Sequence, residues 1–139
     1  MIQRIQTIWL LVASACAFLS LKFSFYSGVK VTETGEAYVA LTGRDNLLLT
    51  ILTVAVGIAS LLMIFFYKDR KRQLWLTVAT TVLAVANIVL YFKEVALFKP
   101  GGNFALTAVF TFIVPLFLVL AIRGIYRDDK LIRSVDRLR

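Results

Sequence analysis

Thr50, Thr53, Gly57 and Ser60 recur at intervals of 3, 4 and 3 residues, and Thr77, Thr80, Ala84 and Asn87 repeat that rhythm. Ala13, Cys16 and Ser20 continue it in an earlier stretch, and Ala108, Thr111 and Pro115 in a later one. At helical pitch each set falls on one face, so four faces of small, weakly polar side chains can meet. Two chemistries suit such a seam. The hydroxyls and the Asn87 amide can line a polar path or a ligand pocket, or they can bond helix to helix at about 0.6–2 kcal/mol each. Bonding is the expectation, because a path for ions ordinarily carries a charge and these faces carry none. Asn87 is the best single candidate for a binding role. A second set of residues is cationic. Lys68, Arg70, Lys71 and Arg72 form one cluster, and Arg133, Arg137 and Arg139 lie in the tail. Both groups suit anionic lipid headgroups on one membrane face, or a partner.

Other chemistries lack their groups. The chain has no His and one Cys, so metal sites and paired-thiol relays are not expected, and Cys16 reads as a small buried hydrophobe. The long apolar stretches hold no Asp, Glu, Lys, Arg or His between their ends, and Lys22 at a rim can snorkel. Nucleophilic catalysis therefore has no base at depth, and proton-coupled transport has no carrier. A small multidrug exporter, for example, would show an acid in its first helix. The remaining acids Glu33, Glu36, Asp45 and Glu94 make no acid/base pair. The expectation is a chain that is not an enzyme and takes no cofactor.

The elements that carry these faces follow from hydrophobicity. Of 139 residues 60% are hydrophobic and the mean hydropathy is +0.83, against roughly 45–50% apolar in soluble domains. Four apolar segments stand out, at about 5–25, 47–67, 74–92 and 104–122. The second, from Leu47 to Tyr67, has no charge and no Pro and spans about 31 Å as a helix, the thickness of a bilayer core. The first resembles a signal peptide only loosely: Ala13 stands where a cleavage box prefers a large apolar residue, and the apolar run continues past Cys16. It reads as a membrane helix. Pro115 predicts a kink in the fourth, with the Thr111 carbonyl freed.

Between the first two segments, 27–45 predicts an outer β-hairpin. A two-residue turn at Thr34-Gly35 would set Val31 opposite Tyr38 and Val29 opposite Ala40. In the tail, 123–139, Leu131, Ile132, Val135 and Leu138 recur at helical spacing among arginines, with Asp128 and Asp129 at a helix start. That pattern predicts an amphipathic helix lying on headgroups or docked on a partner.

Charge sets the topology. The side that carries the N-terminus, 68–72 and the tail has eleven basic and four acidic residues, a net +7, and the other side five and four, a net +1. By the positive-inside rule both termini are cytoplasmic. The net charge of +8 is thus a topology signal, and nucleic acid is not an expected partner.

Three stretches carry a family likeness: the opening MIQRIQTIWLLVASACAFL, the segment FYSG, and the tail LAIRGIYRDDKLIRSVDRLR. Together they resemble an uncharacterised Bacteroidota family of small four-helix membrane proteins, a domain of unknown function. The resemblance implies four spans and an inner-membrane location, and it brings no activity or site residues. Claudin-like proteins share the span count, but their paired outer-loop cysteines are missing, as are the cysteines of quinone-reducing four-helix enzymes.

The fold expected is an all-α membrane protein, 1–139 forming a single integral membrane domain. It is an antiparallel four-helix transmembrane bundle with a small extracytoplasmic β-hairpin and a cytoplasmic amphipathic tail helix. Its expected role is a non-enzymatic accessory or structural subunit of an inner-membrane complex, in contact with membrane lipids and with another membrane protein or a second copy. The alternative is a stand-alone carrier or binder of a lipid or small apolar solute through the Thr/Ser/Asn interior.

Overall fold

A computed structural model describes residues 2–137, with side chains from Ile5 onward. Leu138, Arg139 and the Arg4 side chain lie outside the described residues. Helix α1 (Ile2–Lys22) runs into a hairpin of β1 (Ser24–Thr32) and β2 (Gly35–Thr42). Helix α2 (Leu47–Phe65) follows, then a 3-10 turn at Phe66–Lys68 and helix α3 (Arg70–Val95). A two-residue strand β3 (Asn103–Phe104) and a 3-10 turn at Leu106–Ala108 lead into helix α4 (Val109–Asp136). All four helices are long and apolar enough to cross a membrane. Each packs against its chain neighbours, and α1 closes on α4, so the bundle is a ring in sequence order.

The inner face of each helix keeps a strict rhythm of 3 and 4 residues. In α1 it is Gln6, Leu10, Ala13, Ala17 and Ser20, and in α2 Leu49, Thr53, Val56, Ser60 and Met63. In α3 it is Gln73, Thr77, Thr80, Ala84, Asn87 and Tyr91, and in α4 Thr111, Val114, Leu118, Ala121, Ile125 and Asp128. A repeat averaging 3.5 residues keeps each face on a common seam and gives a left-handed bundle.

The expected two-stranded hairpin gains a third strand, giving a three-stranded antiparallel sheet ordered β2-β1-β3 on a mostly helical chain. It bridges the α1–α2 and α3–α4 connections, so all four helix ends there are tied together. The first helix stops at Lys22, short of the expected residue 25, because Phe25 and Tyr26 belong to β1. The pairing shifts between Ser24 and Tyr26, leaving Phe25 as the extra residue of a bulge. Two consecutive aromatic side chains therefore both turn inward, which a regular strand forbids. Phe25 stacks on Tyr91 at 4.5 Å and meets Phe104 and Phe112 at 5.9 and 5.7 Å. Tyr26 packs edge-on to Phe98 and Phe104 at 5.4 and 5.0 Å.

The hairpin exists, but its register differs from the expected one. Thr32 pairs with Gly35, so Glu33 and Thr34 form the turn, and Val29 faces Tyr38 while Val31 faces Glu36. A turn centred on Thr34-Gly35 would need a positive φ at Thr34, which a β-branched residue resists. The observed register confines positive φ to Gly35, at 125°.

Other boundaries move for local reasons. Asn46 caps α2 by accepting from Leu48 N at 2.9 Å and also donates to Glu94 at the end of α3. α3 starts at Arg70, not at residue 74, since Gln73 N already bonds Asp69 O at 2.9 Å, and it runs on to Val95. α4 starts at Val109, because β3 and the 3-10 turn occupy 103–108. It then continues unbroken through Pro115 to Asp136. The tail is helical as expected but is not a separate helix, so Asp128 and Asp129 lie in mid-helix rather than at a start.

Gly102 lies under Tyr26, and a Cβ there would collide with the phenol ring and its oxygen. Tyr26 is boxed in by Phe98 and Phe104 and has no room to retreat. Gly102→Ala should lower stability by about 1–3 kcal/mol, with near-UV dichroism of the aromatic cluster weakened and helical far-UV dichroism kept. Wild-type thermal unfolding in detergent would contradict this packing.

Candidate functional site

Most of the hydroxyls along the seam are satisfied within their own helices. Thr53, Ser60, Thr77 and Thr80 each donate to the carbonyl four residues back, at 2.6, 2.7, 2.7 and 2.9 Å. Ser20 donates to Ala17 O at 2.7 Å. A hydroxyl has one proton, so a group that gives it to its own helix faces the seam as an acceptor; Thr77 alternatively reaches Met63 Sδ at 3.2 Å.

A few polar contacts cross between helices. Ser14 Oγ donates to Gly57 O at 2.9 Å, tying α1 to α2. Asn87 Nδ2 donates to Thr53 Oγ1 at 3.0 Å, and Gln73 Nε2 to Met63 O at 2.9 Å, tying α3 to α2. Gln6 Nε2 donates to Asp128 Oδ2 at 2.7 Å, tying α1 to α4. Gln6, Gln73 and Asp128 are buried, with relative exposures of 6%, 4% and 5%. Sequence reasoning missed all three, because it assigned them to helix ends or to a tail. Their place at multiples of 3 and 4 from Leu10, Thr77 and Ile125 was the available signal.

Of the residues singled out on the seam, Thr53, Gly57, Ser60, Thr77, Thr80, Ala84, Asn87 and Thr111 are buried together. Thr50 and Pro115 are not part of it. Thr50 is half-buried and donates to Gly43 O at 2.9 Å, near the sheet. Pro115 is half-buried beside the inner face, whose place at that level Val114 takes.

Near the sheet the four helices enclose a cavity of about 10 Å³, lined by Ser20, Thr53, Asn87 and Thr111 together with Val56 and Val114. Asn87 Oδ1 is buried without a hydrogen-bond partner among the described residues. Tyr91 turns its hydroxyl toward Ser20, Thr53 and Thr111 but meets hydrogen-bond geometry with none of them. The space matches one water and the surrounding groups suit one, whereas an apolar solute needs far more room.

The opposite end of the bundle is basic. Lys68, Lys71 and Arg72 are exposed and Arg70 half-buried, with Arg72 within 3.6 Å of Asp69. Arg133 and Arg137 are exposed, and Arg133 pairs with Asp129 at 2.7 Å. The apolar side of the tail is uncovered, with Leu131 51% and Val135 63% exposed. Among the described residues no three His, Cys, Asp or Glu side chains cluster to hold a metal.

A family model described as a domain of unknown function, DUF4293, matches residues 2–138. Neither the comparison with curated proteins nor that with solved structures found a match.

The Asn87–Thr53 bond predicts an energetic coupling. Asn87→Ala and Thr53→Val should each destabilise the bundle by about 0.6–2 kcal/mol, and the double variant by less than their sum. Reversible unfolding in mixed micelles measures this cycle. Strict additivity would mean that the two side chains are not bonded.

Proposed function

The chain belongs to DUF4293, a family defined as a domain of unknown function, and from that premise we propose a non-enzymatic accessory or structural subunit of a membrane complex. The protein sits in a bacterial cytoplasmic membrane as a four-span bundle. Both termini and the basic end are cytoplasmic, and the sheet is outside.

The closed interior is the observation that carries this reading. Its cavity of about 10 Å³ suits one water, and most of the seam's hydroxyls are bonded to carbonyls of their own helices. A carrier of lipid or apolar solute through the interior would need space at this level. What the chain presents outward is more distinctive. The hairpin exposes Val31 and Tyr38, at 62% and 72%, and Leu106 beside the sheet is 89% exposed. At the other end the tail presents an uncovered amphipathic face.

The cation cluster supports the orientation. Arg70, Lys71 and Arg72 lie in the first turn of α3, where the helix dipole disfavours positive charge by about 0.3–1 kcal/mol per residue. Residues that oppose helix stability yet hold a loop on the cytoplasmic side fit a topological role. The partners that follow are anionic lipids at the basic end and another membrane protein or a second copy of this chain, with no role for nucleic acid.

Two measurements test the reading. In a Cys16→Ala background, Glu36→Cys should react with an impermeant maleimide in intact spheroplasts, and Arg137→Cys only after lysis. Mild-detergent purification from native membranes should recover a stoichiometric membrane partner, and Tyr38→Ala or Arg133→Glu/Arg137→Glu should reduce its yield severalfold. Recovery of the protein alone would overturn the subunit proposal, and the reverse labelling pattern would overturn the topology.

A further inference from the structure

At the basic end, an open groove of about 840 Å³ runs alongside the α1–α4 contact. Ile5 and Trp9 of α1 and Leu120 and Leu131 of α4 give it an apolar lining, and Arg123, Arg127 and Lys130 of α4 line it as well. The three cations are spaced i, i+4 and i+7, so they lie along one face of α4 over about 10 Å. All three are exposed. Among the described residues none of them is in an ion pair, whereas neighbouring Arg133 is bonded to Asp129. Of the two adjacent carboxylates, Asp129 is taken by Arg133, and Asp128 is buried and bonded to Gln6.

The groove is built into the helix contact. Gly124 forms part of its lining, and a Cβ there would come within 2.8 Å of Gln6 Cγ. Close approach of α1 and α4 at this level fixes the Gln6–Asp128 bond and leaves the groove alongside it. α4 has 28 residues and rises about 42 Å, some 12 Å more than a bilayer core. On the membrane reading above, its last turns stand at headgroup height. Apolar lining at Trp9 and Leu120, below the unpaired cations of 123–130, is the pattern that takes a lipid by both its parts.

We propose that this α1–α4 groove is a specific site for an anionic phospholipid of the leaflet at the basic end, its phosphate held by Arg123, Arg127 and Lys130 and an acyl chain lying along Trp9 and Leu120. This differs from the general attraction of headgroups to 68–72 and the outer tail, because the groove offers shape as well as charge. It rests on the membrane reading but not on the leaflet or on the existence of a protein partner.

The test is native mass spectrometry of the full chain in detergent with an equimolar mixture of phosphatidylglycerol and phosphatidylcholine of identical acyl chains. The wild type should retain phosphatidylglycerol preferentially. Each of Arg123→Ala, Arg127→Ala and Lys130→Ala should lower that retention about fivefold, at about 1 kcal/mol per cation, and the triple variant by more than tenfold. Lys68→Ala/Lys71→Ala/Arg72→Ala removes the same charge outside the groove and should leave retention within twofold of wild type. Equal losses in both triple variants, or no preference for phosphatidylglycerol in the wild type, would overturn the site. So would displacement of the lipid by millimolar inorganic phosphate, which would mark a phosphate site. Leu120→Gln adds a measurement that leaves charge unchanged: weaker retention is expected, and unaltered retention would remove the acyl-chain contact. The readout is made in detergent, so a reversed topology or a missing partner would leave its outcome intact.

Discussion

The structure depends on the close meeting of four small-residue faces along one seam. Ala13 and Ala17, Gly57 and Ser60, Ala84, and Ala121 let neighbouring backbones approach, and the bonds Ser14–Gly57, Thr53–Asn87 and Gln6–Asp128 then become geometrically available. In an apolar solvent the hydrophobic effect gives helices little reason to associate, so packing and a few hydrogen bonds must supply it. That economy explains why the polar side chains of this chain are consumed in its architecture. It also explains why the interior has only a water-sized space.

The two ends of the bundle solve different problems. At one end the bulge at Phe25 turns two aromatic rings inward and brings the sheet onto the helix ends, with Ala105 N bonding Phe25 O at 3.0 Å. Lys99 N bonds Val29 O at 2.9 Å, so the α3–α4 connection becomes part of the same cap. At the other end nothing comparable closes the bundle among the described residues. The α2–α3 connection is a single 3-10 turn, and α4 runs on past its neighbours. That end is where the cations gather and where the groove beside α1 and α4 opens.

Much of the fold was legible because its signals are local. The four apolar runs, the inner rhythm of α3 through Thr77, Thr80, Ala84 and Asn87, and the hairpin around Gly35 all follow from periodicity or composition. The two misplaced seam residues share one cause. Thr50 and Pro115 were placed on the seam by extending a small-residue stripe, but the seam continues through Leu49 and Val114, which are larger. Small size marks where helices approach most closely, whereas rhythm alone marks which face is inside.

By itself the sequence determined that four helices form, which faces they bury, and which end carries the charge. These properties depend on residue type and on spacing within one segment, where i, i+3 and i+4 neighbours are fixed by the helix itself. Only the tertiary structure decided that β3 joins the hairpin, that Asp128 of the tail meets Gln6, and that Arg123, Arg127 and Lys130 share a groove with Ile5 and Trp9. Each of those juxtapositions joins residues more than 70 positions apart. Nothing local encodes such a distance, which is set only when α4 closes the ring on α1.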